Sequence, residues 1–247
     1  CMSDLITIGG LQPFTMIDYP RKISAVVFLQ GCNLRCRYCY NRSLLCSKAD
    51  KGTEISFENL VSFLKIRRGF LESVVFSGGE PCLQRGLKEA MCLVADMGYK
   101  VGLHTNGFYT DVLTEIIEKK LADFIAIDFK APFSRYEEIT GAAINKEEYS
   151  RLADLLVSSN IEYEYRTTLH NGLLSEKDLF EMADWLIAHR IDNYALQEYK
   201  HGNSFDQKLA YSLGVSLSNL LYDKLKNGIK NFIIRSDSDA NSKKLAA

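Results

Sequence analysis

The sequence of 247 residues has no apolar run long enough to cross a membrane. Its longest apolar runs, such as ISAVVFL and FIAI, fall far short of the ~18 residues that a membrane helix requires. No basic and then apolar leader opens the chain. We therefore expect a cytoplasmic protein that has no membrane partner.

The sequence also has no excess of positive or negative side chains. The 30 basic and 31 acidic side chains leave a net charge of −1, so no broad positive field exists to hold nucleic acid or an anionic membrane. A protein or a small molecule is the expected partner. The composition is 47% hydrophobic, which allows a chain of this length to bury a sizeable core.

The cysteines do not form a disulfide framework. There are seven, an odd number, and Cys32, Cys36 and Cys39 crowd into eight residues. This spacing suits a reduced compartment and a metal better than disulfides. The polar residues between these cysteines, such as Arg35 and Arg37, make the segment a poor candidate for a core of inert thiols.

A second pair of metal ligands is missing as well. A closed structural zinc site needs four ligands, usually as two pairs, and the other cysteines and the four histidines offer no such pair. Three cysteines can instead hold three irons of a [4Fe–4S] cluster and leave the fourth iron for an exogenous ligand. We therefore favour a cluster over zinc, and zinc over inert thiols.

Short β-branched or aromatic runs alternate with helical patterns along most of the chain. The expected strands are Ile23–Leu29, Ser73–Ser77, Lys100–Leu103, Phe124–Phe129, Ile161–Thr168, Asn193–Gln197 and Ile229–Ile234. The expected helices are Ser56–Arg67, Leu83–Met97, Thr110–Lys120, Lys146–Ser159, Ser175–His189 and Asp206–Lys226. Six β-then-α units predict an α/β fold with a parallel sheet, curled into a partial (β/α)6 TIM-like barrel of one domain.

The domain boundaries follow from the same pattern. We expect a turn-rich N-terminal segment over residues 1–22, the barrel over residues 23–235 and a polar, disordered tail over residues 236–247. Cys46, Cys82 and Cys92 are expected to be small buried packing residues.

Polar residues end or follow each expected strand. The cysteine loop follows the first strand, and GGEP and HTNG follow the second and third. The later strands end near Asp128 and Lys130, at Arg166 and at Gln197. In a parallel barrel these positions meet at the carboxyl ends of the strands, where such folds build their sites. The alternative is that any single loop is only a turn between strand and helix.

The spacing C-x3-C-x2-C followed by GGEP resembles the radical S-adenosylmethionine (SAM) enzymes. The resemblance covers about Gly10 to Gln197 and implies one [4Fe–4S] cluster whose open iron binds the amino and carboxylate groups of SAM. It further implies that the reduced cluster splits SAM into methionine and a 5′-deoxyadenosyl radical. Because no further cysteine motif lies between Cys39 and Gly78, we expect one cluster only.

The same resemblance implies roles for individual residues. Cys32, Cys36 and Cys39 are the implied thiolate ligands, and Tyr38 shelters the cluster and the adenine by packing. Gly78 and Gly79 let backbone carbonyls approach the SAM ammonium, since a Cβ would hold the chain away, and Glu80 helps to fix that loop.

Residues on later strands complete the implied SAM site. Asn106 and Asp128 are suited to bond the ribose hydroxyls, and Lys130 to pair with the methionine carboxylate. Asp128 and Lys130 lie two positions apart, so they share one face of a strand. Arg166 either faces a SAM carboxylate or forms a surface ion pair. His201 is expected to be a solvated loop histidine.

The opening residues resemble a narrower group. GLQPFTMIDYPRKISAVVFLQGCNLRCRYCYN is similar to the start of anaerobic ribonucleotide reductase activating proteins, and more loosely to that of pyruvate formate-lyase activating enzymes. The implied partners are a glycyl radical enzyme, namely the large subunit of anaerobic ribonucleotide reductase, and a flavodoxin or ferredoxin as electron donor. We expect the segment from Gly10 to Lys22, with Tyr40, to help receive the partner's glycine-containing loop.

The chain departs from the activating enzymes at two positions. They carry His directly after the third cysteine, where this chain has Tyr40, and an acidic residue where HTNG begins with His104. In pyruvate formate-lyase activators that acidic residue is associated with a cation, so whether a cation site exists here stays open. Two alternatives remain, namely a radical SAM enzyme that acts on a small molecule, as 7-carboxy-7-deazaguanine synthase does, and a zinc-stabilised binding module.

Overall fold

The computed structural model describes residues 6–47, 55–200, 204–209 and 216–236. Eight strands form one sheet, and their bounds are β1 (Ile8–Thr15), β2 (Ser24–Leu29), β3 (Ser73–Gly78), β4 (Lys100–Thr105), β5 (Phe124–Asp128), β6 (Glu162–Leu169), β7 (Asn193–Glu198) and β8 (Asn231–Arg235). The helices are α1 (Phe57–Ile66), α2 (Leu87–Asp96), α3 (Thr110–Glu118), α4 (Tyr136–Thr140), α5 (Lys146–Ser158), α6 (Glu176–Ala188) and α7 (Asn219–Gly228).

The sheet is an open, partial barrel. Its strands follow the chain order from β1 to β8, with β1 antiparallel to β2 and all later neighbours parallel. In the part of the chain that the structure describes, β1 does not pair with β8, so the barrel stays open on that side. The predicted fold of six βα units and a last strand is confirmed. None of the described helices is long and apolar enough to cross a membrane.

Two of the helices begin at the serines that the sequence indicated. Ser56 accepts a hydrogen bond from the backbone N–H of Asn59 at the start of α1. At α6, Ser175 and Asp178 form a reciprocal capping box. These caps satisfy amides that have no partner inside the helix, which fixes where each helix starts.

The opening segment differs from the expected run of turns. Residues Ile8–Thr15 form β1, an edge strand of the same sheet, so this part of the opening segment belongs to the barrel. Two glycines and Pro13 argue against a strand in the sequence, but an edge strand tolerates proline. A Cβ on Gly9 would lie 2.2 Å from Oε1 of Gln30 and 2.5 Å from Cδ2 of Leu44, so a larger residue there would require these side chains to move.

The residues after β1 fill the interior of the barrel. Tyr19 is buried against Val26, Val75, Phe124 and Ala126, and its ring centroid lies 5.0 Å from that of Phe124. Burial raises the pKa of the Tyr19 hydroxyl to about 12. This segment is therefore the floor beneath the carboxyl ends of the strands.

Two further predictions about helices were wrong or incomplete. The last helix was expected over Asp206–Lys226, but α7 begins at Asn219, where Ser218 accepts a hydrogen bond from the N–H of Leu221. Residues 206–209 form a turn instead. The short helix α4 was not predicted, because its five residues are too few to show a helical period.

The cysteines outside the motif also differ from expectation. Cys82 is buried as predicted, but Cys46 and Cys92 are exposed, so neither is a buried packing residue. Cys92 lies on α2, and its position on the outer side of that helix is set by the neighbours Met91 and Val94, which face the core. His201 and nearly all of the expected tail, residues 237–247, lie outside the described residues.

Replacing Tyr19 tests whether the opening segment is part of the folded barrel. Tyr19→Ala removes a buried aromatic ring and is expected to lower the free energy of unfolding in urea by about 3–5 kcal/mol. Ile17→Ala is the control, because Ile17 is 85% exposed and its loss should change stability by less than about 0.5 kcal/mol. Equal stabilities of the two variants would contradict this role for the segment.

Candidate active site at the carboxyl ends of the strands

A cavity of about 190 Å³ opens where the parallel strands end. Most of the predicted site residues line it, namely Cys32, Cys36, Tyr38, Cys39, Gly78, Gly79, Asn106, Asp128 and Lys130. Glu80 and Arg166 do not line this cavity, but both contact residues that do. The structure thus brings together at one place side chains that span about a hundred residues of sequence.

The cysteine loop is held by neighbours that the sequence did not reveal. The amides of Arg35 and Arg37, on either side of Cys36, donate to the carbonyls of Thr140 and Ile139 at the end of α4, at 2.7 and 3.2 Å. From another side, the amide of Phe205 donates to the carbonyl of Cys39 at 2.9 Å. The backbone of the loop is therefore fixed on both flanks.

The glycines of GGEP are required by contact with the cysteine loop. A Cβ on Gly79 would lie 2.0 Å from the carbonyl oxygen of Gly31, and one on Gly78 would lie 2.4 Å from the amide nitrogen of Leu29. The amides of Gly79 and Glu80 donate to the carbonyls of Leu29 and Gly31 at 2.9 and 2.8 Å. The first reason for these glycines is thus backbone packing between two loops, a constraint that the sequence prediction missed.

Glu80 joins GGEP to HTNG and is fully buried. Its Oε1 accepts from the N–H of Cys82 and the hydroxyl of Thr105, and its Oε2 accepts from the N–H of Asn106 at 2.7 Å. Burial raises the pKa of the Glu80 carboxyl, and these three hydrogen bonds oppose that rise. This arrangement agrees with the expected role of Glu80 in fixing the loop.

The side chain of Asn106 is itself held by neighbours. Its Oδ1 accepts from the N–H of Phe108 at 2.9 Å, and its Nδ2 donates to Oδ1 of Asn33 in the cysteine loop at 2.9 Å. Asn106 therefore links HTNG to the cysteine loop while it faces the cavity.

Asp128 lies between two cations at the cavity wall. Its Oδ2 is 3.4 Å from Nζ of Lys130, and its Oδ1 is 3.1 Å from Nη2 of Arg166. Burial acts to raise the pKa of Asp128, but the fields of the two cations hold it below its ordinary value. The Lys130 ammonium also lies 6.0 Å from the centre of the Tyr38 ring, within reach of a cation–π contact.

Of the two roles expected of Arg166, the surface ion pair is wrong, and the SAM contact stays a prediction. Its side chain is only 13% exposed, so its ion pair with Asp128 is not a surface pair. It also lines a second cavity of about 420 Å³, together with Met16, Ile17 and Arg235, rather than the first. Arg166 and Asp128 therefore form part of the wall between the two cavities.

His104 is the site residue whose contacts the sequence could not show. It lines the first cavity, and its Nε2 lies 2.7 Å from the carbonyl oxygen of Asp18. A carbonyl only accepts hydrogen bonds, so Nε2 carries the proton. Burial, helped by the Arg166 charge, lowers the pKa of His104 to about 3, which keeps the ring neutral. The floor segment is thereby tied to the wall of the cavity.

The donor set fits an iron–sulfur cluster better than a single metal ion. Three thiols line one cavity, yet in the described ranges no three Cys, His, Asp or Glu side chains converge on one ion position. Thiolates that each bind a different iron need not converge in this way. Two buried polar groups nearby also have no partner in the described structure, namely Nδ2 of Asn33 and the hydroxyl of Tyr136. Such groups suit a neighbour rich in hydrogen-bond acceptors.

Residues 26–186 match the family model of the radical SAM superfamily. The chain belongs to this superfamily. Radical SAM enzymes use a [4Fe–4S] cluster and SAM, and the cavity with its three thiols lies inside the matched region. The chain is therefore an enzyme of the radical SAM type, as its motifs predict.

Two proteins with similar sequences are named as activating enzymes. A protein of Methanocaldococcus jannaschii, provisionally named as a glycyl-radical enzyme activating enzyme, is 33% identical over 209 residues, which are 81% of this chain and 83% of that protein. The pyruvate formate-lyase 1-activating enzyme of Escherichia coli (strain K12) is 31% identical over 137 residues, which are 52% of this chain and 54% of that enzyme.

A solved structure supports the fold. The crystal structure of Streptococcus suis SuiB bound to SAM has a TM-score of 0.60 to this radical SAM chain at 16% identity. The match covers 84% of this chain and 48% of SuiB, so the chain spans about half the length of that protein. At this identity the likeness shows the fold alone.

The buried neutral histidine makes stability depend on pH. The unfolded chain binds a proton at His104 below about pH 6.5, whereas the folded protein binds it only below about pH 3. The stability is therefore complete above pH 6.5 and is lost as the pH falls. This one group should lower the free energy of unfolding by about 2 kcal/mol between pH 7 and pH 5.

The variant His104→Gln tests whether His104 causes this pH dependence of stability. The neutral amide of glutamine does not titrate. The free energy of unfolding of the variant in urea should therefore fall by about 2 kcal/mol less between pH 7 and pH 5 than that of the wild-type protein. The same loss in the variant and in the wild-type protein would show that His104 does not titrate as its burial requires.

Proposed function

We propose that this chain is a radical SAM activating enzyme that removes a hydrogen atom from a glycine of a glycyl radical enzyme. The observation that carries the proposal is the three-thiol cavity in a chain that is 33% identical, over 81% of its length, to a protein named for that activity. The zinc-stabilised binding module has no support once the family is known.

The proposed site residues have distinct tasks. Cys32, Cys36 and Cys39 hold one [4Fe–4S] cluster, which, when reduced and bound to SAM, supplies the electron that breaks the C5′–S bond and releases methionine. The bound cofactors would thereby supply a 5′-deoxyadenosyl radical for removal of a hydrogen atom from the glycine Cα, which would give 5′-deoxyadenosine and a glycyl radical. Tyr38 covers one side of this cavity by packing, and a flavodoxin or ferredoxin provides the electron.

The remaining residues hold SAM. The carbonyls of Gly78 and Gly79 receive its ammonium, and Asn106 offers an amide hydrogen to the ribose. Lys130 pairs with the carboxylate of methionine, which requires that its ammonium turn partly from Asp128. Asp128 and its partner Arg166 then keep the charge of this wall balanced, while Glu80 fixes the loop.

Anaerobic ribonucleotide reductase is the proposed partner. The opening residues, which resemble those of its activating proteins, pass beneath the cavity and leave Met16 and Ile17 exposed at the second cavity. Tyr40 is partly exposed beside the first cavity and stacks on Tyr199 at 5.3 Å. Apolar groups next to the site suit a protein loop. The exposed free thiols Cys46 and Cys92 suit the reducing cytoplasm.

One observation favours a second candidate. The 7-carboxy-7-deazaguanine synthase of Clostridium acetobutylicum is 31% identical over 117 residues, which are 47% of this chain and 51% of that enzyme. The chain could then act on a small molecule that enters the second cavity. The shorter coverage makes this the weaker candidate.

The ligand assignment predicts a sharp difference among the cysteines. Cys32→Ala, Cys36→Ala and Cys39→Ala should each lose the cluster and all SAM cleavage, because an exposed cluster with two protein ligands does not persist. Cys46 and Cys92 are exposed cysteines outside the motif, so the variants Cys46→Ala and Cys92→Ala are matched controls. Both should keep the iron and sulfide content of the wild type. Loss of iron in Cys46→Ala would contradict the assignment.

The activating reaction is tested with the partner present. Reduced protein, SAM and the large subunit of anaerobic ribonucleotide reductase are mixed without oxygen and followed by electron paramagnetic resonance (EPR) and by 5′-deoxyadenosine release. We expect a glycyl signal that disappears when the partner's glycine is changed to alanine. A slow 5′-deoxyadenosine release that no glycyl radical enzyme alters, but that a purine-like metabolite accelerates, would reject this function in favour of the second candidate.

A further inference from the structure

The hydroxyl of Tyr136 is a buried donor for which the described structure gives no partner. Tyr136 is 1% exposed, and its hydroxyl has neither solvent nor a hydrogen-bond partner among the described residues. A phenol hydroxyl in this state is unfavourable, because burial removes its bond to water without a replacement. A hydrogen-bond acceptor on a bound cofactor would satisfy this hydroxyl.

The helix that carries Tyr136 is docked on the cysteine loop. Tyr136 is the first residue of α4, and the last two residues of α4 accept hydrogen bonds from the amides of Arg35 and Arg37, which flank Cys36. Thr140, one turn after Tyr136, donates from its hydroxyl to the carbonyl of Tyr136 at 2.8 Å. Tyr136 and the two carbonyls that hold the loop therefore belong to one short helix packed on the residues that flank Cys36.

The charges that act on this hydroxyl belong to the site. Burial raises the pKa of the Tyr136 hydroxyl, the Lys130 charge acts to lower it and Cys36 acts to raise it, and both of these residues line the first cavity. The buried hydroxyl of Tyr165 also lacks a partner in the described structure. Tyr136 lies on the helix whose carbonyls hold the cysteine loop, whereas Tyr165 lies on β6.

We propose that the Tyr136 hydroxyl donates a hydrogen bond to a sulfur of the cluster on the side of Cys36, and that this bond makes the cluster easier to reduce. Reduction adds one electron and breaks no bond, so the added negative charge spreads over the sulfurs. A donor to sulfur stabilises that charge and raises the reduction potential. This inference rests on the proposed cysteine ligands.

Tyr136→Phe tests the inference, because it removes the donor and almost no volume. The protein is purified without oxygen, its iron content is measured, and the cluster is titrated with reductant while EPR follows the reduced form. At a fixed applied potential, the ratio of reduced to oxidised cluster should fall about tenfold in Tyr136→Phe, equivalent to a 59 mV lower potential for a one-electron couple. Tyr165→Phe is the matched control and should titrate like the wild type.

A second variant decides the matter if Tyr136→Phe does not fold. Incorporation of 3-fluorotyrosine at position 136 keeps the shape and makes the hydroxyl a stronger donor, so the ratio of reduced to oxidised cluster should rise. An unchanged titration of Tyr136→Phe at full iron content, or an unchanged one of the fluorotyrosine protein, would overturn the inference and leave the proposed function intact. A wild-type protein without a cluster would overturn both.

Discussion

The site depends on the close contact between the backbones of two loops. Gly79 approaches Gly31 so closely that no side chain fits between them, and the amides after β3 donate to the carbonyls that end β2. This contact fixes where the cysteine loop leaves the sheet. Because α4 and the turn at Phe205 then hold the other side of the loop, the three thiols face one cavity.

Buried polar side chains connect further segments around the cavity by hydrogen bonds. Glu80 ties GGEP to HTNG, Asn106 ties HTNG back to the cysteine loop, and His104 ties the wall of the cavity to the floor segment. Each of these hydrogen bonds joins two segments around the cavity and holds them in a fixed relative position. A rigid cavity suits radical chemistry, since a primary radical attacks almost any C–H bond that reaches it.

Local signals in the sequence predicted much of this arrangement. The alternation of β and α patterns gave the parallel sheet, and the strand-end position of Asp128 and Lys130 brought them to one cavity. Elements defined by distant contacts were missed. β1 is a strand because it pairs with β2, and α4 is a helix too short to show a period. The buried ion pair of Arg166 with Asp128 was missed because no local pattern shows that the two residues are partners.

We propose that Cys32, Cys36 and Cys39 hold a [4Fe–4S] cluster and leave one iron open for SAM. Mössbauer spectroscopy of the ⁵⁷Fe-loaded protein with and without SAM tests this arrangement. We expect four irons per chain, of which one differs from the other three and alone changes its spectrum when SAM is added. Four irons that all respond alike, or a spectrum that SAM leaves unchanged, would contradict it.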